Sequence, residues 1–172
     1  MLNGTTIHLR ALEPEDLDLL YIWENNPAVW KVSGTMVPFS KKQLKLYIKT
    51  QGDIYTDRQL RLVIGLNETS QPVGLIDLFD FDPHHRRAGV GILLAEEEFR
   101  GQGVATESLT LLVEHAFHTL GMHQLYCNIL EGNDASFKLF ESAGFERIGF
   151  KKDWIRHQNE WCDEHMLALI NN

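Results

Sequence analysis

The stretch RGQGVATES, residues 100–108, places two glycines one residue apart directly before a long apolar-periodic segment. Apolar residues recur at helical spacing as far as Leu120, and Gly121 is a natural stop, so the sequence predicts a helix that begins in this loop. A glycine-bearing loop that opens a helix presents unpaired backbone N–H groups at a positive dipole end. The stretch therefore predicts a pyrophosphate site, although an ordinary strand-to-helix turn would show the same pattern.

The residues after Gly103 exclude two better-known phosphate loops. A P-loop needs Lys followed by Ser or Thr after its second glycine, and Val104 and Ala105 stand there. A dinucleotide-binding fingerprint needs a third small residue where Thr106 stands, and it follows the first strand of a βαβ unit. Three meandering strands precede this loop instead.

Those three strands are predicted by alternating apolar runs between residues 60 and 94. A turn at NETSQP and a tight break at DPHH separate the runs, which indicates consecutive antiparallel strands. After the loop and its helix, LYCNIL predicts a short buried strand. A helix that opens at Asn133 and two closing strands follow.

Before residue 60 the pattern is one short strand and two helices. TIHLRAL predicts the strand, LEPEDLDLLYIWENN a helix that Pro27 ends, and KKQLKLYIKT a second helix. Between the helices, VWKVSGTMVPFS has no clean period and predicts an irregular segment, either a plain connection or a substrate-shaping loop. The order of elements predicts an α/β fold: a mixed sheet of about seven strands with helices on both faces.

Length and composition predict one domain over residues 1–172, large enough to bury its own core. No run approaches the roughly 18 apolar residues needed to span a bilayer, and the start lacks the regions of a signal peptide, so we expect a cytoplasmic protein without a membrane partner. The net charge of -8 argues against nucleic acid and suits a cationic partner. Cys127 and Cys162 are too few and too far apart for a disulfide framework or a metal knuckle, and we expect no metal.

Two motifs in order make the chain resemble the GCN5-related N-acetyltransferase (GNAT) superfamily. Arg100, Gly103 and Ala105 fit its acetyl-CoA signature of Arg or Gln, two spacers, Gly, one spacer, and Gly or Ala. Downstream, LYCNILEGNDASFKLFESAGF fits its second block of Asn, helix and Gly-Phe. The opening and the hairpin GLIDLFDFDPHHRRA are similar to the branch that holds spermidine N-acetyltransferases and ribosomal-protein N-terminal acetyltransferases. The resemblance implies a GNAT-type, mostly antiparallel mixed sheet and an acetyl-CoA-dependent N-acetyltransferase.

The resemblance also implies which residues hold acetyl-CoA as co-substrate, without a metal. Loop residues would hold the pyrophosphate, strand residues would pair with the pantetheine arm, and residues of the second motif would contact the same molecule. These are Arg100, Gly101, Gln102, Gly103, Val104, Ala105 and Thr106 in the loop, Ile92, Leu93 and Leu94 on the strand, and Asn133, Ser136 and Phe140 in the second motif.

In the family, an amine attacks the thioester carbonyl directly within a ternary complex. An ammonium of pKa about 10 must first lose a proton, because it has no lone pair. Many relatives carry a glutamate on the strand before the loop, but Gly89 stands there. Asp77 on the neighbouring strand is the candidate base, directly or through water, and Asp80 and Asp82 are weaker candidates. Each of the three could equally be a solvated acid on a hairpin.

The departing thiolate needs a proton or a hydrogen bond. Spermidine enzymes and many other relatives use a tyrosine where this chain has Phe140, which has no proton to give. The ribosomal-protein type is similar to this chain in carrying Asn, two spacers and Ser. Ser136 is therefore the candidate donor, unless it only satisfies backbone donors in the first turn of its helix.

The acceptor pocket is predicted, by resemblance, in the irregular segment. Its residues Trp30, Met36 and Phe39, together with Asp77, suggest a partly apolar pocket with one acid. The losses at Gly89 and Phe140 favour a protein N-terminal or small-molecule amine as acceptor. Polyamine acetylation, of spermidine or spermine, is an alternative, and a non-catalytic acyl-CoA-binding sensor is another. The sequence leaves a homo-oligomer open.

Overall fold

Eight strands form one sheet in the computed structural model, which describes residues 1–157 and 159–172 without the side chains of residues 31, 32 and 97. The strands are β1 (Leu2–Asn3), β2 (Ile7–Ala11), β3 (Leu60–Leu66), β4 (Pro72–Asp82), β5 (Arg87–Leu94), β6 (Gln124–Leu130), β7 (Glu146–His157) and β8 (Glu160–Ile170). They lie in the order β1-β2-β3-β4-β5-β6-β8-β7, and β5 and β6 form the parallel pair among otherwise antiparallel neighbours. The predicted mixed, mostly antiparallel sheet is confirmed, with the two-residue β1 as the additional strand.

The helices follow the predicted order with two additions. They are α1 (Leu17–Glu24), α2 (Pro27–Ser33), α3 (Lys41–Thr50), α4 (Ile54–Asp57), α5 (Val104–Glu114) and α6 (Asp134–Ser142). A 3-10 turn at Pro14–Asp16 leads into α1, and a π-helical turn at His115–Thr119 continues α5. Neither α2 nor α4 was expected from the sequence, because both are too short to show a helical period.

The prediction of an irregular segment over residues 29–40 is wrong for its first part. Pro27 does not only end a helix; it occupies the first turn of α2, where its fixed φ and missing N–H are tolerated. The Asn26 side chain accepts a hydrogen bond from the Ala28 backbone N–H at 3.0 Å and caps the helix. The helix ends at Gly34, which has a left-handed φ of 69°. Only the segment after Gly34 is irregular.

Two compact units divide the chain. The smaller unit, Leu12–Asp53, contains α1, α2 and α3, and Leu20, Trp23, Leu44 and Ile48 are its buried apolar side chains. The larger unit, Met1–Ala11 with Ile54–Asn172, contains the sheet and the remaining helices. A single domain over residues 1–172 stays a prediction.

The core of the larger unit lies between the sheet and helices α5 and α6. Leu109 and Leu112 of α5 and Phe137 and Phe140 of α6 pack with apolar residues from the strands. Ile76, Leu78, Leu125 and Leu167 are among the fully buried strand residues of this core. Because side chains alternate along a strand, residues such as Asp77 and Tyr126 project from the opposite face of the sheet. No helix in the described ranges is both long and apolar enough to cross a membrane.

Candidate active site

Strands β5 and β6 pair only near their beginnings. In the described residues the register comprises Arg87 with Gln124, Ala88 with Leu125, and Gly89 with Tyr126. Beyond these residues β5 stays paired with β4, and β6 stays paired with β8. The two strands therefore separate and leave a wedge-shaped opening, with Gly89 and Tyr126 at its closed end. We call this opening the wedge.

The register of β4 against β5 shows which peptide groups face the wedge. Ala95 donates its N–H to the Val73 carbonyl at 3.1 Å, which marks residues 95 and 73 as a hydrogen-bonded pair. Hydrogen-bonded pairs alternate along an antiparallel ladder, so Leu93 directs its peptide groups to β4. Ile92 and Leu94 direct theirs to the wedge. Of the three strand residues that the resemblance assigned to the pantetheine arm, these two have backbone N–H and C=O groups that no described strand pairs.

The glycine loop, residues 100–103, follows β5 within a few residues and ends at the start of α5. Gly101 and Gly103 have left-handed φ values of 75° and 83°, and no described atom lies within 4 Å of a Cβ built on either. Gly103 is the N-cap of α5 and supplies no side-chain cap, so the first N–H groups of the helix are left to an outside acceptor. The loop is thus open, and its backbone takes a path that glycine allows without strain.

These features fit the two parts of acetyl-CoA that the resemblance assigned to them. A pyrophosphate suits the uncapped N-terminus of α5, because backbone donors and the helix dipole both favour an anion there. An amide-bearing arm suits the peptide groups of Ile92 and Leu94, because an extended chain can add to an open strand edge. Arg100 and Gln102 lie in the same loop, and Gln102 Nε2 donates to the Glu98 carbonyl at 2.6 Å.

The second motif forms the start of α6. Asn133 is the N-cap, and its Oδ1 accepts the Ser136 backbone N–H at 3.2 Å. The Ser136 hydroxyl is half-buried and has no hydrogen-bond partner among the described residues. It therefore does not cap the helix and can donate a hydrogen bond to a ligand. Phe140 is 3% exposed and stacks edge-on against Phe145 at 5.1 Å between ring centroids. It therefore belongs to the core, and its contact with the cofactor stays a prediction.

Asp77 has a partner that the sequence did not suggest. Arg61 on β3 donates from Nε and Nη2 to the two carboxylate oxygens of Asp77, at 2.6 and 3.1 Å. The two side chains are 19% and 17% exposed, so this bidentate pair is largely shielded from water. The pair engages both oxygens with which Asp77 would accept a proton. Its role as the proton acceptor stays a prediction.

An aromatic ring lies beside Gly89, the position where many relatives carry a glutamate. A Cβ on Gly89 would collide with the ring of Phe79, so no side chain fits at residue 89 while Phe79 lies there. Tyr126 packs edge-on against Phe79, with centroids 5.8 Å apart and an interplanar angle of 83°. The closed end of the wedge is therefore lined by two aromatic rings in place of a carboxylate.

The other two acids of β4, Asp80 and Asp82, differ in their hydrogen-bond partners. Asp82 Oδ1 accepts the backbone N–H groups of His84 and His85, and Oδ2 pairs with His85 Nδ1 at 2.7 Å. These hydrogen bonds, with His85 contributing first through its backbone, lower the pKa of Asp82 to about 2. Asp80 accepts from the Tyr126 hydroxyl at 3.2 Å and has no other partner among the described residues. Asp82 caps the β4–β5 turn, whereas Asp80 does not.

A groove of about 430 Å³ lies on the sheet face opposite α5 and α6, beside the closed end of the wedge. Its lining includes Asp80, Asp82, Arg87, Tyr126, Lys151 and Met166. Most of its charges are paired within the protein: Arg87 Nη2 lies 3.7 Å from Asp82, and Lys151 pairs with Glu164. Among the described residues, Asp80 has only the neutral Tyr126 hydroxyl as a partner. Asp80 is therefore an acid of the groove whose negative charge no described cation pairs.

The three predicted pocket residues of the smaller unit have their own contacts. Trp30 is half-buried and donates from Nε1 to the Glu24 carbonyl at 2.9 Å. The Phe39 backbone exchanges two hydrogen bonds with the Asn25 side chain, at 2.8 and 3.0 Å. Met36 is 89% exposed. Their role in acceptor binding stays a prediction.

Comparisons with known proteins show what this chain is similar to. A family model described as an acetyltransferase (GNAT) domain matches residues 6–146. The probable N-acetyltransferase YjcK of Bacillus subtilis (strain 168) is 25% identical over 99% of this chain and 97% of that protein. The spermidine N(1)-acetyltransferase of Escherichia coli (strain K12) is 27% identical over 87% of this chain and 77% of that protein. The crystal structure of spermidine N-acetyltransferase from Vibrio cholerae in complex with CoA and spermine has a TM-score of 0.88 at 22% identity, covering 97% of this chain and 96% of that one.

Proposed function

Because this chain belongs to the GNAT family and is an acetyl-CoA-dependent N-acetyltransferase, we propose that its acceptor is a small, positively charged amine that binds in the groove beside the wedge. The observation that carries the proposal is the unbalanced charge of Asp80 in that groove. A cationic acceptor would balance it. The groove is also of the size that suits a small molecule. The spermidine enzymes among the relatives support an amine of this kind.

The cofactor residues of the proposal follow from the fit of loop and wedge. Acetyl-CoA supplies the acetyl group and a thiolate leaving group. Backbone N–H groups at Val104, Ala105 and Thr106 bind the pyrophosphate, and Arg100 adds a positive charge beside it. Peptide groups of Ile92 and Leu94 orient the arm, and one N–H at the wedge stabilises the negative charge that develops on the carbonyl oxygen. Asn133 hydrogen-bonds the same arm.

Ser136 is the proposed hydrogen-bond donor to the departing thiolate. Its hydroxyl is half-buried and has no hydrogen-bond partner among the described residues, which supports this role. The tyrosine that spermidine enzymes use is replaced here by the buried Phe140. Ser136→Ala should lower kcat by about tenfold or more, because only leaving-group stabilisation is lost. Acetyl-CoA affinity, measured by calorimetry, should stay within about twofold of the wild type. Equal losses in affinity and kcat would instead indicate a binding role.

An acceptor panel tests the proposed function. Purified protein with acetyl-CoA is assayed for CoA-thiol release against spermidine, spermine, an aminoglycoside and short peptides with free N-termini. The expected result is a higher kcat/KM for small polycations than for a neutral peptide, and a fall in that preference at high salt. A preference for peptides that persists whatever their charge would assign the protein N-terminal alternative. The expectations of no metal and no nucleic acid stay predictions, and a homo-oligomer stays open.

A further inference from the structure

Three carboxylates of β4 are candidates to take the acceptor's proton, and their contacts separate them. Both oxygens of Asp77 are engaged by Arg61. Asp82 is engaged by the turn residues His84 and His85. Asp80 keeps one oxygen without a partner among the described residues, and the other accepts from Tyr126. The contacts therefore favour Asp80, which the sequence pattern ranked below Asp77.

Resting on the proposed transfer to an amine, we infer that Asp80 receives the proton of the acceptor ammonium and that Tyr126 holds the Asp80 carboxylate in position. Tyr126 belongs to the last residue pair of the β5–β6 seam, so its ring marks the closed end of the wedge. It also lines the groove, as Asp80 does. The pair thus lies where the groove and the wedge meet.

A β-bulge aims Asp80 at this place. The β4–β5 register shifts between Phe79 and Asp82, and Asp80 has a left-handed φ of 47°. Regular alternation would send Asp80 to the core face together with Leu78. The bulge instead places Phe79 and Asp80 toward Tyr126, while Phe81 returns to the core with 1% exposure. Bulges beside active sites commonly redirect a side chain in this way, and a non-glycine residue at positive φ is a cost that function can explain.

Tyr126 has the properties of a neutral support for a carboxylate. Burial first, and then the charge of Asp80 and the hydrogen bond to it, raise the pKa of Tyr126 to about 12. The hydroxyl therefore stays protonated in the range where amines lose their protons, and it keeps donating to Asp80. Arg87 from β5, Lys151 from β7 and Asp82 from β4 also face the groove. Of these, Arg87 and Lys151 are paired with acids.

The inferred step balances as follows. An N–H bond of the acceptor ammonium breaks, and the proton binds to the free oxygen of Asp80. The released lone pair attacks the thioester carbon, so a C–N bond forms as the C–S bond breaks and the sulfur leaves with its electron pair. The second proton lost from nitrogen neutralises the thiolate, and Asp80 returns its own proton to water.

Asp80→Asn tests the inference, because asparagine has the same shape and tolerates left-handed φ. With spermidine as probe and saturating acetyl-CoA, kcat/KM at neutral pH should fall by about a hundredfold or more. The loss should shrink toward pH 10, since the amine then deprotonates without help.

Tyr126→Phe keeps the ring packing and should lower kcat/KM by about tenfold, with a smaller change in KM. Glu68→Gln, an exposed acid on the β3–β4 turn, is the matched control and should match the wild type.

Calorimetry with acetyl-CoA separates the two proposals. If wild-type protein binds acetyl-CoA but acetylates neither spermidine nor any other amine of the panel, the proposed function fails and the inference fails with it. If the wild type is active and Asp80→Asn retains activity within about threefold, or loses the same factor at every pH, the proton acceptor lies elsewhere and only the inference is overturned. Should Asp80→Asn fail to fold, Tyr126→Phe is used in its place. If Tyr126→Phe retains kcat/KM within about threefold of the wild type, or loses the same factor at every pH, the inference is overturned.

Discussion

The backbone conformation of single glycines shapes the loop where a pyrophosphate is proposed to bind. Gly103, at φ 83°, is the N-cap of α5 and lies where the pyrophosphate is proposed to bind. A side chain at this φ costs roughly 1–2 kcal/mol, and its Cβ would occupy the space left open beside the loop. The sequence predicted both glycines as loop residues, but it could not say that both adopt left-handed φ.

Gly103→Ala should weaken acetyl-CoA binding by about tenfold or more, because it adds strain and bulk where the pyrophosphate is proposed to bind. Gly121→Ala is the matched control: it also replaces a glycine of positive φ, 64°, but at the far end of the same helical segment. Both variants should lose similar stability, and only Gly103→Ala should lose affinity in calorimetry. Equal affinities for the two would place the pyrophosphate elsewhere.

Asp82 gives a pH dependence whose sign is fixed by its pKa. Hydrogen bonds from the turn lower the pKa from 3.8 to about 2, so ionised Asp82 stabilises the fold above the unfolded value, and this stability is lost as pH falls toward 2. Asp82→Asn should therefore have a lower urea midpoint than the wild type at pH 7. The difference should shrink between pH 4 and pH 2. A difference that does not change with pH would show that the charge of Asp82 plays no part.

The three acids of β4 show what a single sequence can predict about such a site. Spacing on a hairpin was enough to name Asp77, Asp80 and Asp82 as candidates. Their ranking depended on contacts across strands, with Arg61 on β3 and Tyr126 on β6. Those contacts follow from register and from one bulge, and neither has a signal in composition or periodicity.

Helix α5 is anchored near its start by one carboxylate. Glu107 accepts the backbone N–H groups of Thr5 and Thr6 and the Thr6 hydroxyl, which ties α5 to the segment before β2. Burial opposes its ionisation, but the hydrogen bonds from Thr6, Thr5 and Ile7 outweigh burial and lower the pKa of Glu107. A Cβ on Gly4 would collide with this carboxylate, which explains the glycine there.

Glu107→Ala should lower the free energy of unfolding by about 1 kcal/mol, because it removes the hydrogen bonds that the exposed residues Thr5 and Thr6 donate to Glu107. Glu114→Ala, in the last turn of the same helix, is exposed and serves as the control, with an expected change within about 0.5 kcal/mol. Urea titration at pH 7 measures both. Similar losses in the two variants would mean that helix propensity, rather than the tie to Thr5 and Thr6, sets the effect.

Length decided which helices and strands the sequence could predict. Segments with several periods, such as α3, α5 and β3 to β5, were predicted correctly in type and order. The two-residue β1, the four-residue α4 and the seven-residue α2 carry too few residues to show a period. For α2 the missed signal was the Asn26–Pro27 pair, which can begin a helix as well as end one.

The arrangement of the whole sheet is what turns these segments into a site. A chain of antiparallel neighbours is interrupted once, where β5 and β6 run parallel and then separate. The order of strands predicted a mixed sheet, and the resemblance supplied the cofactor motifs. The position of the wedge could be located only from the observed register of β5 and β6, which ends at Gly89 and Tyr126. A sequence pattern does not show where two paired strands separate.

The predicted single domain has a direct test in the four tryptophans. Trp23 and Trp30 lie in the smaller unit, and Trp154 and Trp161 lie in the larger one. A unit of about 40 residues rarely folds alone, so we expect both units to unfold in one transition. Urea curves of a Trp154→Phe, Trp161→Phe variant and a Trp23→Phe, Trp30→Phe variant, each followed by fluorescence and circular dichroism, should coincide for the two probes. Two separate transitions within one variant would show two domains.

The most direct test of the account is CoA-thiol release measured before and after an amine is added. The wild-type protein is mixed with acetyl-CoA alone, and spermidine follows once the signal is steady. Direct transfer in a ternary complex predicts no thiol release before the amine and sustained release over many turnovers after it, with one acetylated amine formed per thiol. Stoichiometric release before the amine would contradict direct attack. No release after the addition of spermidine, or of the other panel amines in turn, would contradict the acetyltransferase account itself.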